Sequence, residues 1–200
     1  MVEANPLPAF AAVIVAAGKG LRASQPLPKQ FAQWRGKAVL RHSAEALAAA
    51  GAKPIVVAIP EGAGEIAAQM LAGIDGIRFV IGADTRQGSV RVALEELGGS
   101  APQFVLIHDA ARPDLPGEVI ERLLQALQRH PGAIPVLPVV DSLAVDEHGL
   151  MGGSAPREAL RRVQTPQAFQ YAAILAAHRS WAGAAEAGDD AQVLRAAGMA

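Results

Sequence analysis

Two hundred residues, 51% hydrophobic and 18% charged, are enough for one domain with a large core, and the formal net charge of −1 leaves no excess of either sign. That balance excludes a polybasic nucleic-acid tail or membrane patch, and the hydrophobic content excludes intrinsic disorder. Cysteine is absent, which removes thiol nucleophiles, disulfides and Cys-ligated metals, and 43 alanines suit helices lying close on a sheet.

No basic stretch precedes the first apolar run, at 10–17, and that run is too short to span a bilayer. A cytoplasmic protein without membrane partners is expected. Apolar runs of strand length lie at 10–16, 54–59, 77–81, 104–108 and 134–140. Each is nearly continuous rather than alternating, which predicts strands buried on both faces of a parallel sheet. Helical stretches separate them at 39–50, 64–71, 89–97 and 118–130, the last with Val119, Leu123, Leu124 and Leu127 on one stripe. Strand and helix alternating four times predicts an α/β fold with right-handed crossovers. From 141 to 157 there are three glycines and no long apolar run, a loop long enough to be functional or an interaction arm. A short stretch at 163–169 and helical patterns at 170–177 and 190–197 complete the chain.

Ligands of open α/β sheets bind beyond the carboxyl ends of the strands. Those ends read Ala16-Ala17-Gly18-Lys19-Gly20-Leu21-Arg22-Ala23, Gly82-Ala83-Asp84-Thr85-Arg86 and His108-Asp109-Ala110-Ala111-Arg112-Pro113. Small residues, cations and a carboxylate at one sheet edge suit a phosphate ligand and its counter-ion. The first segment formally matches the dinucleotide fingerprint. However, Pro26 and Pro28 stop the helix that a pyrophosphate would need, and the acidic residue after the second strand comes about twice the usual ~20 residues on. A glycine-bearing loop with Arg22 and Lys29 fits a triphosphate instead, with Asp109 the natural Mg²⁺ ligand. Plainer roles stay open at this point. Lys29 alone is a solvated charge, Asp109 a loop-capping carboxylate with Arg112 as its ion-pair partner, and Arg86 and Arg91 surface partners of Glu95 and Glu96. The five histidines show no zinc spacing, and no G-x-S-x-G elbow occurs.

Six motifs in register carry a resemblance over nearly the whole chain: AAGKGLR at 16–22, PKQF at 28–31, GADTRQGSV at 82–90, HDAARP at 108–113, TPQAF at 165–169 and DDA at 189–191. Together they resemble the family of 2-C-methyl-D-erythritol 4-phosphate cytidylyltransferases. The resemblance implies a single domain over 1–200 with a Rossmann-like nucleotidyltransferase sheet, mostly parallel with helices on both faces. It also implies a protruding β-arm at about 141–160 that reaches across a homodimer. The implied reaction transfers CMP from CTP to methylerythritol 4-phosphate, with release of pyrophosphate and help from Mg²⁺ or another divalent cation.

By motif match, Arg22 and Lys29 would stabilise the transition state. Ala16, Ala17 and Gly18 would hold the nucleotide, and Ala83, Asp84 and Ser89 would contact the cytidine. Asp109 would bind the metal and lie close to the sugar phosphate. Arg112, Ser142, Arg157 and Thr165 would surround the sugar phosphate, Arg157 coming from the partner chain. Ser142 stands where the family usually has Thr and keeps the hydroxyl. Ala83 replaces a common Gly, which requires a negative φ. Gly188 replaces a Thr before the Asp-Asp pair. The family also continues past a helix like 190–197 into a strand and a lysine segment, neither of which is found here, so the chain is expected to stop short or to continue, for instance into a cyclase. Two other readings share the same loops: a cytidylyltransferase for another polyol phosphate such as ribitol 5-phosphate, and a non-catalytic CTP-binding module.

Overall fold

The first apolar run forms β1 (Phe10–Val15), and the rest of the molecule is organised around it. A computed structural model describes residues 7–18, 28–182 and 187–199. After β1 come a hairpin of β2 (Gln33–Trp34) and β3 (Lys37–Ala38), then α1 (Val39–Ala49), β4 (Ile55–Ile59), α2 (Gly64–Met70) and β5 (Ile77–Ile81). They are followed by α3 (Arg86–Glu96), β6 (Phe104–Asp109), α4 (Gly117–Ala126) and the short strands β7 (Gly132–Ala133) and β8 (Val136–Pro138). The chain ends with β9 (Ala144–Glu147), β10 (Leu150–Ser154), β11 (Arg161–Val163), β12 (Gln167–Gln170), α5 (Tyr171–Ser180) and α6 (Asp190–Ala196).

The central sheet has the order β5-β4-β1-β6-β12-β7. Its first four strands are parallel, and β12 runs antiparallel to both β6 and β7. The chain steps outward from β1 through β4 to β5 and then returns to place β6 on β1's other side. The strand order therefore reverses between β1 and β6, the place where open α/β sheets bind ligands.

Alternation along β1 divides the core between the two faces. Phe10, Ala12 and Ile14 pack with Leu40 and Leu47 of α1 and Ile120 and Leu124 of α4. Ala11 and Val13 pack on the opposite face with Val90 and Leu94 of α3, Ile174 of α5 and Val193 of α6. Helices thus cover both faces, and the runs at 10–16, 54–59 and 104–108 are buried strands as expected.

Two strand expectations need correction. β5 is an edge strand rather than a strand buried on both faces, and its Ile81 is 52% exposed. The run 134–140 is not a strand of the parallel sheet. Pro135 and Pro138 have no N–H to give to a ladder, so the chain leaves the sheet after β7, and β8 pairs with β11 instead. The place beside β6 goes to β12. Gly132 permits this crossing, because a Cβ there would lie 2.8 Å from the Phe169 ring and 2.9 Å from Leu194. Between β8 and β11, β9 and β10 form a second antiparallel ladder, closed by His148 and Gly149 at φ 56° and 86°. α3 starts three residues earlier than expected, because Thr85 caps it by accepting from the Gly88 N–H at 3.0 Å.

Candidate active site

A cleft of about 950 Å³ opens at the carboxyl ends of β1 and β6, where Val15 and Asp109 are register partners. Its first wall is the chain leaving β1 at Ala16, Ala17 and Gly18. Buried Gln30 holds that wall, its amide donating to the carbonyls of Ala16 at 2.6 Å and Gly18 at 2.9 Å. The same turn carries Lys29 at the mouth of the cleft. Gln30 therefore fixes the position of Lys29 relative to β1 and occupies two carbonyls of the wall.

The second wall follows β5. Gly82 lies so close to β1 that a Cβ there would sit 2.2 Å from the Ala17 Cβ, so any side chain would push the walls apart. Buried Ser89 closes the loop with its hydroxyl 3.0 Å from the Ala83 N–H, which donates to it, and 2.9 Å from the Thr85 carbonyl. Ala83 has no left-handed backbone angle, as its replacement of glycine required. Ala83, Asp84 and Ser89 all line the cleft.

Asp109 forms the floor. Its Oδ1 accepts from Arg86 Nε at 3.1 Å, and Arg112 Nε lies 3.6 Å from Oδ2. Beneath it, burial pushes the His108 imidazole down to about 4, against the opposing pull of the Arg112 carbonyl, so the ring is neutral at physiological pH. Its Nε2 lies 3.0 Å from that carbonyl, which can only accept, so Nε2 carries the proton. Nδ1 must then accept from the Thr165 hydroxyl at 3.2 Å, while the Thr165 oxygen accepts from the Asp109 N–H, also at 3.2 Å. Thr165 thus ties β6 to the start of β12, with its proton committed inward.

Arg86 corrects an expectation. It does not pair with Glu95 or Glu96, which bond Arg179 and Arg78, but lies inward between Asp109 and wholly buried Asp190, 2.8 Å from the latter's Oδ2. Burial works against the charge of Arg86, and the Asp190 and Asp109 carboxylates outweigh it, holding the group above its ordinary pKa. Burial likewise opposes the ionisation of Asp190, but the His178 hydrogen bond and the Arg86 charge keep its pKa below the usual carboxylate value. A sequence signal for this was present: Arg86 precedes Val90, Ala93, Leu94 and Leu97 on the buried stripe of α3.

The cleft brings together most of the expected residues: Lys29, Asp109 and Arg112 join the two walls already described. Arg22 lies outside the described residues. Thr165 stands behind Asp109 and does not line the cleft. Ser142 and Arg157 are exposed on the 136–163 segment, where Arg157 donates to the Val140 carbonyl at 3.3 Å and lies 3.5 Å from Glu158. Among the described residues, no group of three His, Asp or Glu could hold a metal by itself. No helix there is long and apolar enough to cross a membrane.

Known proteins fit this geometry. A profile of 2-C-methyl-D-erythritol 4-phosphate cytidylyltransferases (IspD) matches residues 10–200. A bifunctional enzyme IspD/IspF of Erythrobacter litoralis is 65% identical over 198 residues, 99% of this chain and 51% of its own length. A 2-C-methyl-D-erythritol 4-phosphate cytidylyltransferase of Cereibacter sphaeroides is 47% identical over 193 residues, 94% of this chain and 84% of its own. The crystal structure of the cytidylyltransferase of that name from Thermus thermophilus superposes with a TM-score of 0.77 at 36% identity, covering 96% of this chain and 86% of its own. The chain spans about half the length of the bifunctional relatives it matches.

Proposed function

The chain belongs to the 2-C-methyl-D-erythritol 4-phosphate cytidylyltransferase family, and from that premise we propose that it transfers CMP from CTP to methylerythritol 4-phosphate. A phosphate oxygen of the sugar attacks the α-phosphorus of CTP in line. The bond from that phosphorus to the bridging oxygen breaks, and pyrophosphate leaves. The observation that carries this reading is the meeting of Lys29, Asp109 and Arg112 at the switch between β1 and β6, beside a wall whose carbonyls Gln30 holds.

Such a transfer leaves the protein alignment and charge stabilisation to perform, with little covalent chemistry. In this reading Lys29, with Arg22, faces the charge that grows on the triphosphate. The backbone at 16–18 seats the nucleotide, and the 82–85 loop receives the cytosine, with Ser89 holding that loop in shape and Asp84 at its rim. Arg112 binds the sugar phosphate. Thr165 keeps the Asp109 backbone in place beside the sugar phosphate.

Asp109 offers one carboxylate, and its Oδ2 is beyond hydrogen-bonding reach of Arg112. This donor set fits Mg²⁺, which takes one or two protein carboxylates and completes its shell with phosphate oxygens and water. When bound, the metal would neutralise charge on the phosphates. No metal cluster preforms among the described residues, so the cation would arrive with the triphosphate.

Ser142 and Arg157 serve the sugar phosphate, Arg157 that of a partner chain in a homodimer. In support, the 136–163 segment leaves Val140 69%, Leu150 75% and Met151 74% exposed, apolar surface that a second copy would cover. Cytoplasmic residence belongs to the same reading, in which a chain without cysteine needs no oxidising compartment.

Pyrophosphate release tests the reading, measured with CTP and either methylerythritol 4-phosphate or ribitol 5-phosphate in the presence of Mg²⁺. Release with the first sugar phosphate is expected. Preference for ribitol 5-phosphate would reassign the acceptor, and CTP binding without release would favour the binding-module reading.

A further inference from the structure

α6 reaches the cleft through a chain of charges, wholly buried at Asp190 and partly exposed at Arg86 and Asp109. Asp190 opens that helix, and its carboxylate is wholly buried between His178 Nε2 on Oδ1 at 3.2 Å and Arg86 Nη2 on Oδ2 at 2.8 Å. The same Arg86 reaches Asp109 through Nε at 3.1 Å. The Asp190 and Ala191 N–H groups both donate to Gln167 Oε1 at 3.0 Å, and Gln167 sits on β12, the strand beside β6. The first turn of α6 is thus registered to the floor of the cleft twice, once through β12 and once through Arg86.

Burying a carboxylate and a guanidinium is a poor route to stability alone, because apolar residues of similar volume commonly do as well. What an apolar pair cannot do is aim a third group. A guanidinium is a rigid plane, so its ion pair through Nη2 with Asp190 limits the direction in which Nε points. In this chain that direction is toward Asp109 Oδ1. We propose that Asp190 is a positioning residue for cytidylyl transfer: acting through Arg86, it fixes the Asp109 carboxylate at the end of β6. The inference rests on the role given to Asp109 above. It makes α6 part of the apparatus that positions Asp109 rather than only a cover on the core.

Steady-state kinetics and thermal melting of Asp190→Asn, Arg86→Lys and Asp189→Ala test it, in the polypeptide as its gene encodes it. Asp189 caps the same helix through the Gln192 N–H at 2.9 Å and makes no contact with Arg86, so its variant weakens the helix alone. Asp190→Asn and Arg86→Lys should each lower kcat by about 10²-fold, the order of loss from a reacting group misplaced by about 1 Å. The KM for CTP should stay within about twofold. Asp189→Ala should keep kcat close to that of the parent. Arg86→Lys with parental kcat, or losses that follow the melting temperature equally in all three variants, would overturn the proposal. If Asp190→Asn does not fold, Arg86→Lys decides, since it keeps the charge that faces Asp190. A parent protein that releases no pyrophosphate would count against the proposed function, and crystal structures would then decide the tether. An Asp109 carboxylate displaced in Arg86→Lys supports it, and one left in place refutes it.

Discussion

The crevice between β1 and β6 and the 136–163 segment are made by the same chain in opposite ways. At the crevice, Gln30, Ser89, His108 and Asp190 are all buried and hydrogen-bonded, above strands packed on both faces. In the segment, two separate two-stranded ladders stand outside the central sheet, and β8, β9 and nearly all of β10 are exposed. An isolated two-stranded ladder is marginal in water, so the segment gains most by packing on another surface. The difference teaches a division of labour: the crevice is preorganised by its own chain, whereas the segment is left largely uncovered by it.

Four variants would break or sharpen that contrast. The largest effect should come from Phe169→Ala, which empties a fully buried ring site against Gly132 and should cost about 3–5 kcal/mol by chemical denaturation. Lys29→Ala should leave folding intact and lower turnover on the order of 10²–10³-fold, as loss of a transition-state charge partner does. An unchanged kcat would remove Lys29 from the catalytic set. Thr165→Val strips the partner from the Asp109 N–H and from His108 Nδ1, so stability should fall by about 1–3 kcal/mol. If it does not, water has replaced the hydroxyl, and the tie between β6 and β12 is weaker than its geometry indicates. The smallest effect should follow Leu150→Ser with Met151→Ser, within about 0.5 kcal/mol of monomer stability. Analytical ultracentrifugation should nevertheless show weakened self-association. A large stability loss with association untouched would mean that the segment packs on its own body.

Much of the crevice was legible in the sequence because its chemistry is local. Ala16 to Gly18, Lys29, Asp84 and Asp109 follow strand ends that continuous Val/Ile runs announce, and the topology carries those ends to one edge. Arg86 was misread, because charge spacing on a helix surface is visible without the fold while a buried acceptor 104 positions on, Asp190, is not. Gln30 and His108 were silent too, since the carbonyls of Ala16, Gly18 and Arg112 to which they donate leave no mark in the sequence. The run 134–140 looked like a buried strand by composition, and its prolines, which have no N–H to give, explain its departure from the sheet. Ser142 and Arg157 remain expectations of the resemblance, because neither lines the cleft of its own chain.

One measurement bears most directly on cytidylyl transfer at the β1–β6 switch: the ³¹P spectrum of CTP and methylerythritol 4-phosphate incubated with the protein and Mg²⁺. It should show free pyrophosphate and a pair of coupled diphosphate signals from the CDP-linked polyol, both lost with Lys29→Ala. Unreacted CTP, or CDP with inorganic phosphate, would contradict it.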